Sequence, residues 1–177
     1  MAIVRLKIDG YGQLELNQAP FRRSGRIEAQ CAIADGIEYV ENGMLLAVDN
    51  VNRVVKYVDS NNTLPIALNY SSEHGYDPAK SGLKNFKLDR GSFLPRLGYL
   101  LAGDKYTTNC IAYDETTYAT VEAFKEAVGN VKNAPLYAHA CNNGAHLING
   151  TATDAIALVL GASSMPDGQF AVKFQAL

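Results

Sequence analysis

At 177 residues the chain is long enough for one domain or two small ones. Hydrophobic residues make up 47% and charged residues 19%, which argues against a disordered chain. A net charge of −2 argues against a nucleic-acid binder, and no apolar run approaches the roughly 20 residues that span a bilayer.

The start, "MAIVRLKIDG", is too short and too alternating for a signal peptide, so the chain is expected to be made in a cytoplasm. Val4, Leu6 and Ile8 point one way, Arg5 and Lys7 the other. After Asp9-Gly10, "GQLELN" places Leu14 and Leu16 on one face. Two alternating runs joined through Asp-Gly predict a β-hairpin, because both turn residues tolerate positive φ. Arg22, Arg23 and Arg26 after Pro20 read as a solvated turn. "GRIEAQCAI" alternates again, with Ile27, Ala29, Cys31 and Ile33 on one face, so Cys31 reads as a small core residue. "MLLAVD", "RVVKYV", "LPIALNY", "LKNFKL", "KYTTNCIAY" and "PLYAHA" are further strand candidates.

Residues 71–105 carry five glycines and two prolines without clear periodicity, and predict a long irregular loop or arm. In a protein that works by contact, this is where contacts are expected. A helix is predicted over 120–129, with Val121, Phe124 and Val128 at helical spacing, Thr120 as N-cap and Gly129 at its end. The chain closes on "GQFAVKFQAL", where Phe170, Val172 and Phe174 alternate with Ala171, Lys173 and Gln175. Asn-Gly or Asp-Gly steps at 9–10, 35–36, 42–43, 143–144, 149–150 and 167–168 punctuate these runs. The expected fold is therefore mainly β, an antiparallel sandwich or barrel with one short helix, over residues 1–177 as a single domain.

The chemistry-bearing residues are few. Cysteines at 31, 110 and 141 are odd in number and far apart, which is no disulfide framework. The sequons at Asn61, Asn69 and Asn149 carry meaning only on a secreted chain. "HACNNGAH" gathers His139, Cys141 and His146. A two-residue hairpin at Asn143-Gly144 places Cys141 opposite His146 with His139 on the same face. A structural zinc needs a fourth ligand from far away, such as His74 or a carboxylate, so the stretch reads mainly as a turn. No nucleophile elbow, phosphate loop, H-E-x-x-H helix or dinucleotide fingerprint is present. Asp114-Glu115 reads as a solvated pair and Ser163-Ser164 has no evident base. No catalytic, cofactor or metal residue is assigned. Tyr70, Tyr76, Tyr99, Tyr106, Tyr113 and Tyr118 cluster in the middle third, where they suit either an interface or ordinary sheet packing.

"GRIEAQ", "ENGMLLAVD", "LPIALNYSSEHGYD", "LKNFKLDRGSFLPRLGYLLAGDKYTTN" and "MPDGQFAVKFQAL" resemble a group of small virion structural proteins of tailed bacteriophages. The resemblance runs through most of the chain and is weakest over about 114–160. It implies a head decoration or cement protein on the capsid surface, binding the major capsid protein and copies of itself, with no enzymatic role, no cofactor and neither nucleic acid nor membrane as partner. Two other classes stay open: another virion component (minor capsid, tail or fibre), and a β-barrel hydrolase using His139 or His146.

Overall fold

A computed structural model describes residues 2–71 and 83–177. In chain order the strands are β1 (Ile3–Arg5), β2 (Leu14–Gln18), β3 (Ile27–Glu28), β4 (Ala32–Ile33), β5 (Tyr39–Glu41), β6 (Leu45–Asp49), β7 (Val54–Tyr57), β8 (Ile66–Asn69), β9 (Lys87–Asp89), β10 (Leu97–Gly98), β11 (Lys105–Thr108), β12 (Ile111–Asp114), β13 (Tyr137–Ala140), β14 (His146–Asn149), β15 (Ala157–Ser164) and β16 (Phe170–Ala176). One helix, α1 (Val121–Gly129), lies between β12 and β13. The fold is mainly β and sandwich-like, as the alternation predicts.

An eight-stranded sheet runs β1-β12-β14-β13-β15-β16-β11-β2, a six-stranded sheet runs β3-β10-β8-β6-β7-β4, and β5 pairs with β9. The pairs β12–β14 and β4–β7 are parallel; the other pairs are antiparallel. The large sheet is buried on both faces at β12 and β14. In β12, Ile111 and Tyr113 join one apolar cluster, with Phe124, Val128, Val172 and Phe174. Ala112 between them joins the other, with Leu46, Val48, Val55 and Leu88. Period two sends alternate side chains into different cores. The fully buried β6, "LLAVD", follows the same logic: Leu45 enters the first cluster, Leu46 and Val48 the second.

The helix forms where its caps allow. The Thr120 side chain accepts a bond from the Ala123 amide at 3.1 Å, while Phe124 and Val128 are buried. It packs on β15 and covers the first cluster. Gly129 is its last residue, and Asn130 closes it with an N–H bond to the Ala127 carbonyl.

Over β1–β4 and β11–β12 the local pairing differs from the sequence reading in three places. β1 and β2 form no hairpin; they are the two opposite edges of the eight-stranded sheet, against β12 and β11. Gly10 does adopt φ +83°, but the chain there turns against residue 84: the Tyr11 amide donates to the Lys84 carbonyl at 2.7 Å. "GRIEAQCAI" is two short strands, β3 and β4, at opposite edges of the six-stranded sheet. Cys31 and Ile33 are buried, but Ile27 and Ala29 are exposed. "KYTTNCIAY" is also two strands, because the chain breaks at Asn109-Cys110 and moves from β11 across the sheet to β12. Of the 71–105 segment, 72–82 lie outside the described residues, and with them His74 and Tyr76. The remainder is irregular chain interrupted by one 3-10 turn (Leu83–Asn85), β9 and β10. Among the described residues no helix is long and apolar enough to cross a membrane.

Candidate contact surface

The two histidines of "HACNNGAH" are separated by the register. His139 pairs with Leu147 and Ala140 with His146, so the connection is the five residues 141–145. A two-residue hairpin would have placed Cys141 opposite His146; the longer loop shifts every pairing, and His139 and His146 fall on opposite faces. His146 is fully buried. Its Nδ1 meets the Cys110 carbonyl at 3.1 Å and its Nε2 the Tyr106 hydroxyl at 3.0 Å. A carbonyl cannot donate, so Nδ1 carries the proton and Nε2 accepts from Tyr106. The ring stacks on Phe174 with centroids 4.9 Å apart. Burial holds the imidazole neutral, pushing its pKa down to about 4 against the opposing Cys110 carbonyl bond. Burial likewise pushes the Tyr106 hydroxyl up.

His139 Nε2 donates to the Thr151 carbonyl at 2.9 Å. Cys141 is buried in the second cluster, its thiol bonded to Asn143 Oδ1 and facing the Ala145 carbonyl. Asn143 Oδ1 also takes the Ala145 amide, and Gly144 sits at φ +76°. Side chain and backbone of the stretch thus close a turn, and its three soft ligands do not converge. Among the described residues no group of three or more His, Cys, Asp or Glu is placed to hold a metal ion.

A second polar cluster is structural. Arg5 clamps Glu41 with two bonds, at 2.9 and 2.5 Å, and Glu41 also takes the Gly12 amide. Glu41 is 3% exposed. A buried carboxylate with a bidentate guanidinium and a backbone donor is satisfied, and here it ties β1 and the chain entering β2 to β5. Sequence reading missed this pair, since 36 residues separate its members.

The exposed surface offers a different kind of feature. Between β9 and β10 the chain reads "RGSFLPR". Gly91 takes φ +82°, and Ser92 bonds back to the Asp89 carbonyl through both its amide and its hydroxyl. Pro95 is buried, and the Arg96 amide donates to Ser71 Oγ at 2.8 Å while its carbonyl accepts from Tyr70. Between these fixed ends, Phe93 is 75% exposed and Leu94 46%. Phe93 and Leu94 thus form an adjacent pair of exposed large apolar side chains on an anchored loop, where exposed apolar residues are commonly single. Arg90, in an ion pair with Asp35, and Arg96 flank them. The tyrosines serve the interior more than the surface: Tyr70, Tyr106 and Tyr113 are buried in the first cluster, with Tyr113 stacked on Phe124. Tyr99 and Tyr118 are partly buried against the two clusters.

The fold is a β-rich, sandwich-like body that exposes Phe93 and Leu94 on a loop with anchored ends. No family model, curated protein or solved structure matches the chain.

Proposed function

We propose that the chain is a non-enzymatic structural protein of a tailed-bacteriophage virion, a head decoration or cement protein that meets the major capsid protein through its Phe93–Leu94 loop. The observation that carries this reading is the loop itself. It falls inside "LKNFKLDRGSFLPRLGYLLAGDKYTTN", the longest stretch of the virion-protein resemblance, and presents two large apolar side chains from anchored ends. A lattice-binding protein needs a few buried apolar anchors on a body that does not deform. The sandwich-like body supplies the second requirement, and apolar layers on both faces of its large sheet support it.

The test uses heads that lack the protein. Wild-type protein added to them is expected to bind at regular lattice positions seen by electron cryomicroscopy. Phe93→Ser with Leu94→Ser is expected to keep the wild-type circular dichroism and melting curve while losing head binding. Removing the central part of 71–105 is expected to have the same effect on binding. Density on the tail or fibre would replace the decoration role with another virion role. Undiminished binding by the double variant would remove the loop from the interface.

A further inference from the structure

The second half of β15 is an uncovered sheet edge. β13 pairs with β15 only at Ala157 and Leu158, and the Val159 amide makes the last bond on that side, to the Leu136 carbonyl at 2.9 Å. From Gly161 to Ser164 the strand is laddered to β16 alone. Leu160, Ala162, Ser163 and Ser164 are exposed. The hairpin closes with the Met165 amide on the Gln169 carbonyl, so alternation turns the backbone groups of Ser163 and Gly161 toward β16. Those of Ala162 and Ser164 therefore point outward, and no described residue bonds them. This row lacks the usual protection of an edge: "LGASS" has no charge and no proline, only the bulge between Val159 and Gly161.

We propose that β15 pairs antiparallel with β15 of a second copy of this chain, joining two eight-stranded sheets across a two-fold axis. Charge selects the occupant. Two identical edges meeting on a two-fold axis crowd their own residues together, so any charge they carry meets its like. The other edges of the two large sheets fail that condition or are too short. β1 carries Arg5 with Lys7 just beyond, β2 carries Glu15, β3 is two residues with Glu28, and β4 is two residues long. Among the described edges of these sheets, the β15 run is the one that is both uncharged and longer than two residues. Its length also sets the strength. A five-residue ladder covers far less than the roughly 1,200 Å² of a stable interface, so the pair forms and dissociates with concentration. An array that holds copies side by side raises their effective concentration and fixes it. The inference rests on the reading of the chain as self-associating and not on where it sits on a particle.

The test is sedimentation velocity of the purified protein from about 10 μM to 1 mM, with hydrogen exchange at both extremes. A reversible monomer–dimer equilibrium is expected, with slower exchange of the Ala162 and Ser164 amides at high concentration. Ala162→Lys is expected to weaken the dimer by roughly tenfold or more, with partial recovery in high salt, because it sets like charges beside the axis. Ala162→Ser, which adds no charge, is expected to dimerise as wild type does and so controls for damage to the strand. A protein that stays monomeric to 1 mM overturns the inference, as does a dimer indifferent to Ala162→Lys. Amide protection that arises only on added heads also overturns it, and assigns the edge to a strand of another protein. None of these results alters where the protein is found on particles.

Discussion

Two stretches of this chain carry the same local signal and fold differently. Residues 3–18 and 157–176 each place one strand on either side of Asp-Gly. Both glycines take the left-handed conformation, φ +83° at Gly10 and +84° at Gly168. Yet β15 and β16 form the hairpin, while β1 and β2 go to opposite edges of the same sheet. Asp-Gly therefore dictates the bend and not the partner. At 167–168 the space around the turn is open, and the strands fall back on one another. At 9–10 the Lys84 carbonyl fills the inside of the bend, and Arg5 is held by Glu41. The two turns then bond each other: the Asp9 amide donates to Gln169 Oε1, Gln169 Nε2 donates to the Asp9 carbonyl, and Gln13 Nε2 donates to Asp167.

This contrast can be broken, most strongly at the Arg5–Glu41 clamp. Glu41→Ala strands a partly buried guanidinium and an amide, and is expected to cost about 3–5 kcal/mol in urea unfolding. The corresponding anchor of the C-terminal hairpin is His146 against Phe174, and acid probes it. The unfolded imidazole takes a proton near pH 6.5, the folded one only near pH 4. Between these values the unfolded state binds more protons, so stability falls as pH falls through that window. It levels off below the folded pKa and is flat above the unfolded one. The integrated loss is about 3 kcal/mol. Urea midpoints measured from pH 7 to 5, above most carboxylate titration, should show the slope in wild type and a shallower one in His146→Gln. Gly10→Ala is expected to cost about 2–3 kcal/mol, since the new Cβ both sits at positive φ and overlaps the Lys84 carbonyl. Gly168→Ala, with open space around it, should cost about 1 kcal/mol. Equal losses would mean that backbone conformation accounts for both costs and that the Lys84 carbonyl adds nothing at Gly10. The smallest effect is at the link between them: Gln169→Ala is expected to cost within about 1 kcal/mol, as exposed hydrogen bonds do.

Residues whose environment is set locally were legible in the sequence. Thr120, Phe124 and Val128 follow from helical spacing and a cap, and Phe170, Val172 and Phe174 from alternation. Cys31 is buried as expected, though of its apolar row only Ile33 is buried with it. What the sequence hides is whatever depends on partners far along the chain. β15 escaped notice although it is the longest strand, because the bulge at Gly161 resets its phase and its end is small and exposed. β5 and β10 are too short to show a period. The His139–His146 register turned on loop length, which composition does not encode. Of the contact surface, only the segment was visible. The signal that narrows it is the pair Phe93-Leu94 set between Gly91 and Pro95 with no strand period to bury them.

The placement of β1 and β2 also sets an order of events. Both strands find their partners in residues 105–114, roughly 110 positions later for β1 and roughly 90 for β2. Contacts that far apart close slowly, because the chain between them must be ordered first. On a ribosome residues 1–100 therefore emerge with β1 and β2 unmatched, while β3 to β10 have their partners among themselves. β16 lies between β15 and β11, so only its release joins the part of the sheet that holds β1 to the part that holds β2.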